Sequence, residues 1–161
     1  MFGTEKNPFA VIVKASAEES RRRGDRRIGT EHLLLGILAA ADRPTRPAVT
    51  GLLPGIDLAA ARAALSDMDA AALRAIGLDI DPAPVAARPR RHPAVPGTAL
   101  TTSARAAVKT AVRSTTLKDR KERIAASLLV ALLEQPHPDP VADLFERLGV
   151  DREETLARLT R

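Results

Sequence analysis

Few residues in this chain have both the type and the spacing that chemistry demands. Glu31 and His32 stand side by side at the start of a leucine-rich run, Thr30-Glu31-His32-Leu33-Leu34-Leu35-Gly36-Ile37-Leu38. A carboxylate in the first turn of a helix stabilises the positive end of the dipole by about 0.3–1 kcal/mol, which alone suffices to place Glu31 there. His32 reads as a packed or capping histidine. The other two histidines, His92 and His137, fall in proline-rich loops, and no ligand spacing suits a zinc site, which takes about four ligands. Cysteine is absent, so disulfides, thiolate metal sites and cysteine nucleophiles are excluded. Serine, histidine and aspartate occur without a nucleophile-elbow motif. There is no H-E-x-x-H, and no glycine is followed by lysine, so the phosphate loop G-x-x-x-x-G-K-[ST] is missing. The expectation is a protein that is not an enzyme and uses no metal or other cofactor.

The charge is a second candidate for chemistry. Lysine and arginine number 25 against 20 acidic residues, a formal net charge of +5. Arg21, Arg22, Arg23, Arg26 and Arg27 cluster at one helix end. They make either a solvated terminus or a weak phosphate-binding patch. Phe2, Phe9 and Phe145 are the only aromatic residues, too few for a base-stacking platform, and no helix-turn-helix recognition helix is evident. Nucleic acid is therefore a disfavoured partner. No run approaches the ~20 apolar residues of a membrane span. The apolar stretch Phe9 to Val13 is shorter than the roughly 7–15 residues of a secretory core. A cytoplasmic location, without membrane attachment, is expected.

The elements that must position these residues read as helices throughout. Alanine and arginine are good helix formers, and strand-favouring aromatics are scarce. At 161 residues the chain suits one domain, or two small halves sharing a core. Asn7 caps a first helix with Pro8 at its first position. Phe9, Ile12, Val13, Ser16 and Ala17 share one face, and Gly24 ends it. The second helix starts near Thr30, is apolar almost all round and should be central. Gly36 inside it costs about 1 kcal/mol relative to alanine, a sacrifice that usually admits another backbone. Pro44 and Pro47 mark a loop. A short helix follows from about Ala48 to Leu53, broken by Pro54-Gly55. Asp57 caps a helix through Leu65, and Asp67 to Ile76 forms another, ended by Gly77. Residues 79–99 form a linker in which Pro82, Pro84, Pro89, Pro93 and Pro96 preclude regular helix; it also carries Arg88, Arg90, Arg91 and His92. Thr101 caps the next helix, with Ala104, Ala107, Val108, Ala111 and Val112 as its stripe. A helix containing Ile124, Leu128, Leu129, Leu132 and Leu133 follows. Pro136, Pro138 and Pro140 interrupt the chain before a helix from Val141 to Leu148. Asp151-x-x-Glu154 is a capping box for the last helix.

The order of parts repeats. Leu33 to Leu38 parallels Leu128 to Leu133, and Leu52-Leu53-Pro54-Gly55-Ile56-Asp57 parallels Glu146-Arg147-Leu148-Gly149-Val150-Asp151. The expected organisation is a single all-α domain over 1–161. It comprises two pseudo-repeats of about four helices, about 1–78 and 100–161, joined by the 79–99 linker. Ile28-Gly29-Thr30-Glu31-His32-Leu33-Leu34-Leu35-Gly36 resembles the repeated IGTEHxLLG motif of the Clp N-terminal (Clp R) domain, the double repeat at the front of ClpA/ClpC-type AAA+ unfoldases. Met1-Phe2-Gly3 resembles the opening of ClpC members. The Ala/Arg-rich composition and the Asp-rich segment from Asp67 to Asp81 are similar to those of stand-alone actinobacterial Clp N-domain proteins.

The resemblance carries functional expectations. The family's domain receives substrates and adaptors. Without a phosphate loop, this chain is expected to act as adaptor, decoy or regulator of Clp proteolysis, with a ClpC-type unfoldase, its substrates or its adaptors as partners. Some members bind phosphoarginine in one pocket per repeat, a glutamate pairing with the guanidinium and a threonine at a helix start holding the phosphate. Such pairing is bidentate and charge-assisted, and helix N-termini favour anions. Glu31 matches the first glutamate, with Lys6 at the threonine position. Thr101 matches the second threonine, with Ala126 or Ser127 at the glutamate position. Family members also take cyclic-peptide antibiotics between the repeats. There Phe2 matches a contact, Leu100 stands at its counterpart, and Arg105 replaces a lysine. The expected binding face thus comprises Phe2, Lys6, Glu31, Thr101 and Arg105. The alternatives are a protein that sequesters phosphoarginine or a cyclic peptide, and a basic nucleic-acid-associated protein.

Overall fold

The computed structural model describes residues 7–42, 51–79 and 92–161. They form seven helices: α1 (Pro8–Arg23), α2 (Thr30–Ala41), α3 (Leu58–Ala75), α4 (Thr102–Arg113), α5 (Arg120–Leu133), α6 (Pro140–Arg147) and α7 (Arg152–Leu159). No strand occurs among the described residues. A parallel bridge joins Ile28 to Leu100: the Ile28 amide donates to the Ala99 carbonyl at 2.7 Å, and the Thr101 amide donates to the Ile28 carbonyl at 2.9 Å. It ties the entry to α2 to the entry to α4. None of the described helices is long and apolar enough to cross a membrane.

Local chemistry starts these helices. Asn7 Oδ1 accepts from the Phe9 amide at 3.1 Å with Pro8 at the first position of α1. Asp57, Thr101 and Asp151 accept in the same way from Ala60, Ala104 and Glu154. Helix α6 begins at Pro140, with Asp139 as its cap; proline opens this helix because the first position needs no amide donor.

Two expectations are corrected. Leu58 to Ala75 is one continuous helix rather than two, because no glycine or proline interrupts it and buried residues, Ala61 and Leu65 before the expected break and Ala70 after it, anchor both parts. Gly51 to Leu53 forms turns, not the end of a helix; Ala48 to Thr50, Pro44 and Pro47 lie outside the described residues. Most of the linker, 80–91, does too.

One apolar cluster holds residues from both halves. Ile12, Ile28, Leu33, Leu34, Leu35 and Ile37 meet Ile124, Leu128, Leu129, Leu132, Leu133 and Phe145 within it. Helix α1 packs on α2 and α5, α4 packs on α5, and α2 also touches α3, α4 and α6. At the α1–α2 crossing, Gly36 is the contact point. A Cβ there would lie 2.1 Å from Ser16 Oγ and 2.6 Å from the Ile12 carbonyl oxygen. Ser16 donates to that same carbonyl at 2.7 Å, so its buried hydroxyl is satisfied within α1. From α3, Arg62 grips the buried Glu19 of α1 through two N–H groups.

Several arginines have structural employment. Arg152 donates to the Leu133 and Gln135 carbonyls and so caps the end of α5. Arg120 reaches the Val112 carbonyl at 3.3 Å and the Thr115 carbonyl at 3.4 Å beyond α4. Cationic side chains suit helix C-termini for this reason.

The start of α2 depends on a histidine. Gly29 has no side chain to cap with, and its own amide donates to His32 Nδ1 at 2.9 Å. An amide can only donate, so Nδ1 is the acceptor nitrogen. His32 Nε2 therefore carries the proton and donates to Asp25 Oδ2 at 2.9 Å. This hydrogen bond, aided by the Arg23 charge, holds Asp25 below its ordinary value of 3.8, against the opposing effect of partial burial.

Two outcomes follow from this packing. Gly36→Ala adds about 1 kcal/mol of helix propensity but overpacks a crossing, which typically costs about 1–3 kcal/mol. The urea midpoint should fall, and a rise would contradict the close approach. Asp25 has a folded pKa depressed below its unfolded one. Its contribution is present above 3.8 and is lost as pH falls through the lower folded value. The stability gap between the parent and Asp25→Asn should therefore be open at neutral pH and close in acid. A gap independent of pH would contradict the His32–Asp25 contact.

Candidate functional site

The N-termini of α2 and α6 are stitched together. Thr30 Oγ1 donates to Asp139 Oδ1, and the same carboxylate oxygen accepts from the Val141 amide at 3.1 Å. One aspartate thus caps α6 and fixes it beside α2. Glu31 sits next to this junction. Its carboxylate folds back over Gly29, where a Cβ would come within 2.3 Å of Glu31 Oε2. A side chain at 29 would require the Glu31 carboxylate to swing aside.

Glu31 is largely buried, its side chain 16% exposed. Its Oε1 lies 3.5 Å from His32 Nδ1, but that nitrogen is already accepting from Gly29. Its Oε2 is buried and meets no hydrogen-bond donor among the described residues. A buried carboxylate oxygen without a donor is costly. Dipole stabilisation explains why an acid stands here, yet leaves that oxygen unserved.

Glu31 lines a cavity of about 650 Å³ between α2, α3 and α6. Helix α3 supplies an apolar wall of Leu65, Met68 and Ala72. The loop before α6 adds Pro138, and the helix itself Pro140. Charged groups complete the lining: Glu31, Asp69, Asp143 and Glu146 against Arg23 and Arg147. Arg23 is already engaged by Asp69 at 2.9 Å and Asp25 at 3.2 Å. The carboxylates outnumber the guanidiniums, so the cavity favours a cationic guest with an apolar stem.

The residues expected on the binding face are distributed differently. Thr101 Oγ1 is used as the α4 cap. Arg105 is exposed one turn later, and Leu100 is half-buried at the Ile28 bridge. Neither Thr101 nor Arg105 lines the Glu31 cavity. Phe2 and Lys6 lie outside the described residues. Ala126 and Ser127, at the second glutamate position, are half-buried. The α3 and α6 residues of the cavity were missed by sequence reasoning. The i, i+3, i+7 spacing of Leu65, Met68 and Ala72 was the available signal, obscured by the assumed break after Leu65.

The arginine cluster is partly consumed internally. Arg21 donates to the His92 carbonyl at 2.8 Å, and Arg23 is paired as above. Arg22, Arg26 and Arg27 are exposed. Three exposed arginines form a smaller basic surface than the run of five suggests.

Metal-ligating types also meet, although their sequence spacing matches no common motif. His137, Asp143 and Glu146 each offer one ligand atom within 4.8 Å of the others.

No family model matches the chain, and no curated protein does. Among solved structures, the N-terminal domain of the caseinolytic protease associated chaperone ClpD from Arabidopsis thaliana matches with a TM-score of 0.64 at 19% identity, covering 99% of this chain and 95% of that one. The chain therefore has the all-helical fold of a Clp N-terminal domain.

Proposed function

We propose that this chain is a non-enzymatic module that receives protein or peptide segments in Clp proteolysis, serving as adaptor, decoy or regulator. Its partners are a ClpC-type unfoldase, that unfoldase's substrates or its adaptors. The fold supports a Clp-related role. The observation that carries the site is the largely buried Glu31 carboxylate, with Oε2 meeting no donor among the described residues, on the wall of a carboxylate-rich cavity. An arginine side chain meets both demands of that cavity. Its guanidinium donates two parallel hydrogen bonds to a carboxylate, and its methylene stem packs on Leu65 and Met68.

Phosphoarginine is the finer form of this reading. Lys6, two residues before Pro8 in the sequence, is the residue proposed to meet the phosphate as a point charge. The second repeat keeps Thr101 but has no carboxylate at Ala126 or Ser127, so one effective pocket is proposed rather than two. Leu100 and Arg105, away from the Glu31 cavity, are the described residues on which a cyclic peptide would rest; Phe2, the third expected contact, lies outside the described residues.

Titration calorimetry with one peptide in arginine and phosphoarginine forms tests the site. The parent chain should bind at least one form, and Glu31→Gln should weaken binding tenfold or more, as expected for loss of a charge-assisted pair worth about 1.5–3 kcal/mol. Unchanged affinity in the variant would overturn the pocket. Failure of a ClpC-type unfoldase and its substrates to co-purify with the chain would overturn the Clp assignment.

A further inference from the structure

We infer that a divalent transition-metal ion of the zinc class binds at the rim of the cavity, held by His137, Asp143 and Glu146. Asp143 and Glu146 lie three residues apart on α6 and therefore share a helix face. His137 enters from the preceding loop against that face. Its Nδ1 is 2.7 Å from Asp143 Oδ1, and its Nε2 is 3.9 Å from Glu146 Oε2. One ligand atom from each residue lies within 4.8 Å of the other two. Zinc–ligand distances of about 2.0–2.2 Å put neighbouring ligand atoms about 3.3–3.5 Å apart in a tetrahedron. Closing the trio onto an ion thus needs shifts of about an ångström. The side chains are 54%, 46% and 77% exposed and can make such shifts without disturbing the core.

The donor set decides the class of ion. One imidazole nitrogen and two carboxylate oxygens suit zinc, cobalt or nickel, whereas magnesium and calcium prefer oxygen ligands alone. Three protein ligands leave a fourth position open to water or to an incoming group. Apart from the trio the cavity carries two carboxylates and two guanidiniums, Arg23 being already paired with Asp69. Glu31 lines the same cavity and carries a buried oxygen that meets no donor among the described residues, a feature that a nearby cation would answer. The other two histidines offer no comparable set: both nitrogens of His32 are engaged at the start of α2, and among the described residues only the His137 trio gathers three such groups. A bound ion would take the place of the His137–Asp143 hydrogen bond.

The test is calorimetric titration of the full chain with zinc chloride near neutral pH, with magnesium chloride as control. Thermal unfolding with and without zinc accompanies it. The expected result is one zinc per chain, no comparable magnesium binding, and a zinc-dependent rise in melting temperature by mass action. His137→Ala and Glu146→Gln should weaken zinc binding at least tenfold while melting like the parent without metal. Cobalt in place of zinc should give visible absorption bands that disappear in His137→Ala. Three results would overturn the site: no stoichiometric zinc binding, a zinc-induced shift that persists in His137→Ala, or magnesium binding as tightly as zinc. A variant that melts low without metal would show a structural role for the trio and would also count against the site.

Discussion

Helix α2 has almost no solvent-facing side, and the rest of the molecule is arranged to satisfy it. Thr30, His32 and every residue from Leu33 to Leu38 are buried. Apolar burial of about 25 cal/mol per Å² favours enclosing such a helix, but enclosure strands the polar groups at its start. The structure resolves this within one turn. His32 accepts the Gly29 amide and donates to Asp25, while Thr30 donates to Asp139 at the start of α6. The polar network that makes burial of α2 possible is also what fixes α6 beside it. The cavity is a consequence of how that burial is managed.

That arrangement separates two kinds of charge. Asp25, Asp139 and Glu19 are consumed by His32, Thr30 and Arg62. Many arginines are likewise occupied, on carbonyls at helix ends and loops: Arg21, Arg120, Arg152 and Arg158 all donate to backbone oxygens. These contacts place the arginines without neutralising them, so the formal net charge stays +5 while several of its carriers are held against the backbone. Glu31 is the exception, a largely buried carboxylate with an oxygen left for something outside the described residues.

How much of this could be read in advance depended on whether the cause was local. Caps at Asn7, Asp57, Thr101 and Asp151 are short-range chemistry, and their residue types announce them. Gly36 signalled a close crossing because little else explains glycine inside a buried helix. The break assigned near Ser66-Asp67 went wrong because polar residues in an exposed helical turn resemble a cap, while the buried positions Ala61, Leu65 and Ala70 carried the helix through. The error mattered, since only an unbroken α3 aligns Leu65, Met68 and Ala72 into one wall. Glu31 was legible through its motif; Asp143 and Glu146 were not. Their place opposite it depends on Thr30 meeting Asp139 across 109 residues, a contact that no local pattern encodes. The gathering of His137, Asp143 and Glu146 was hidden for the same reason, because a loop histidine joins one helix face only after the loop has folded.

The central claim is that the space between Glu31, α3 and α6 receives an arginine-bearing segment of another chain. The most direct measurement is an amide chemical-shift map of the isotope-labelled protein titrated with an arginine-containing peptide. The account predicts shifts concentrated at Gly29 to His32, at Leu65 to Ala72 and along α6. Shifts confined to α4, or to the exposed Arg22, Arg26 and Arg27, would contradict it.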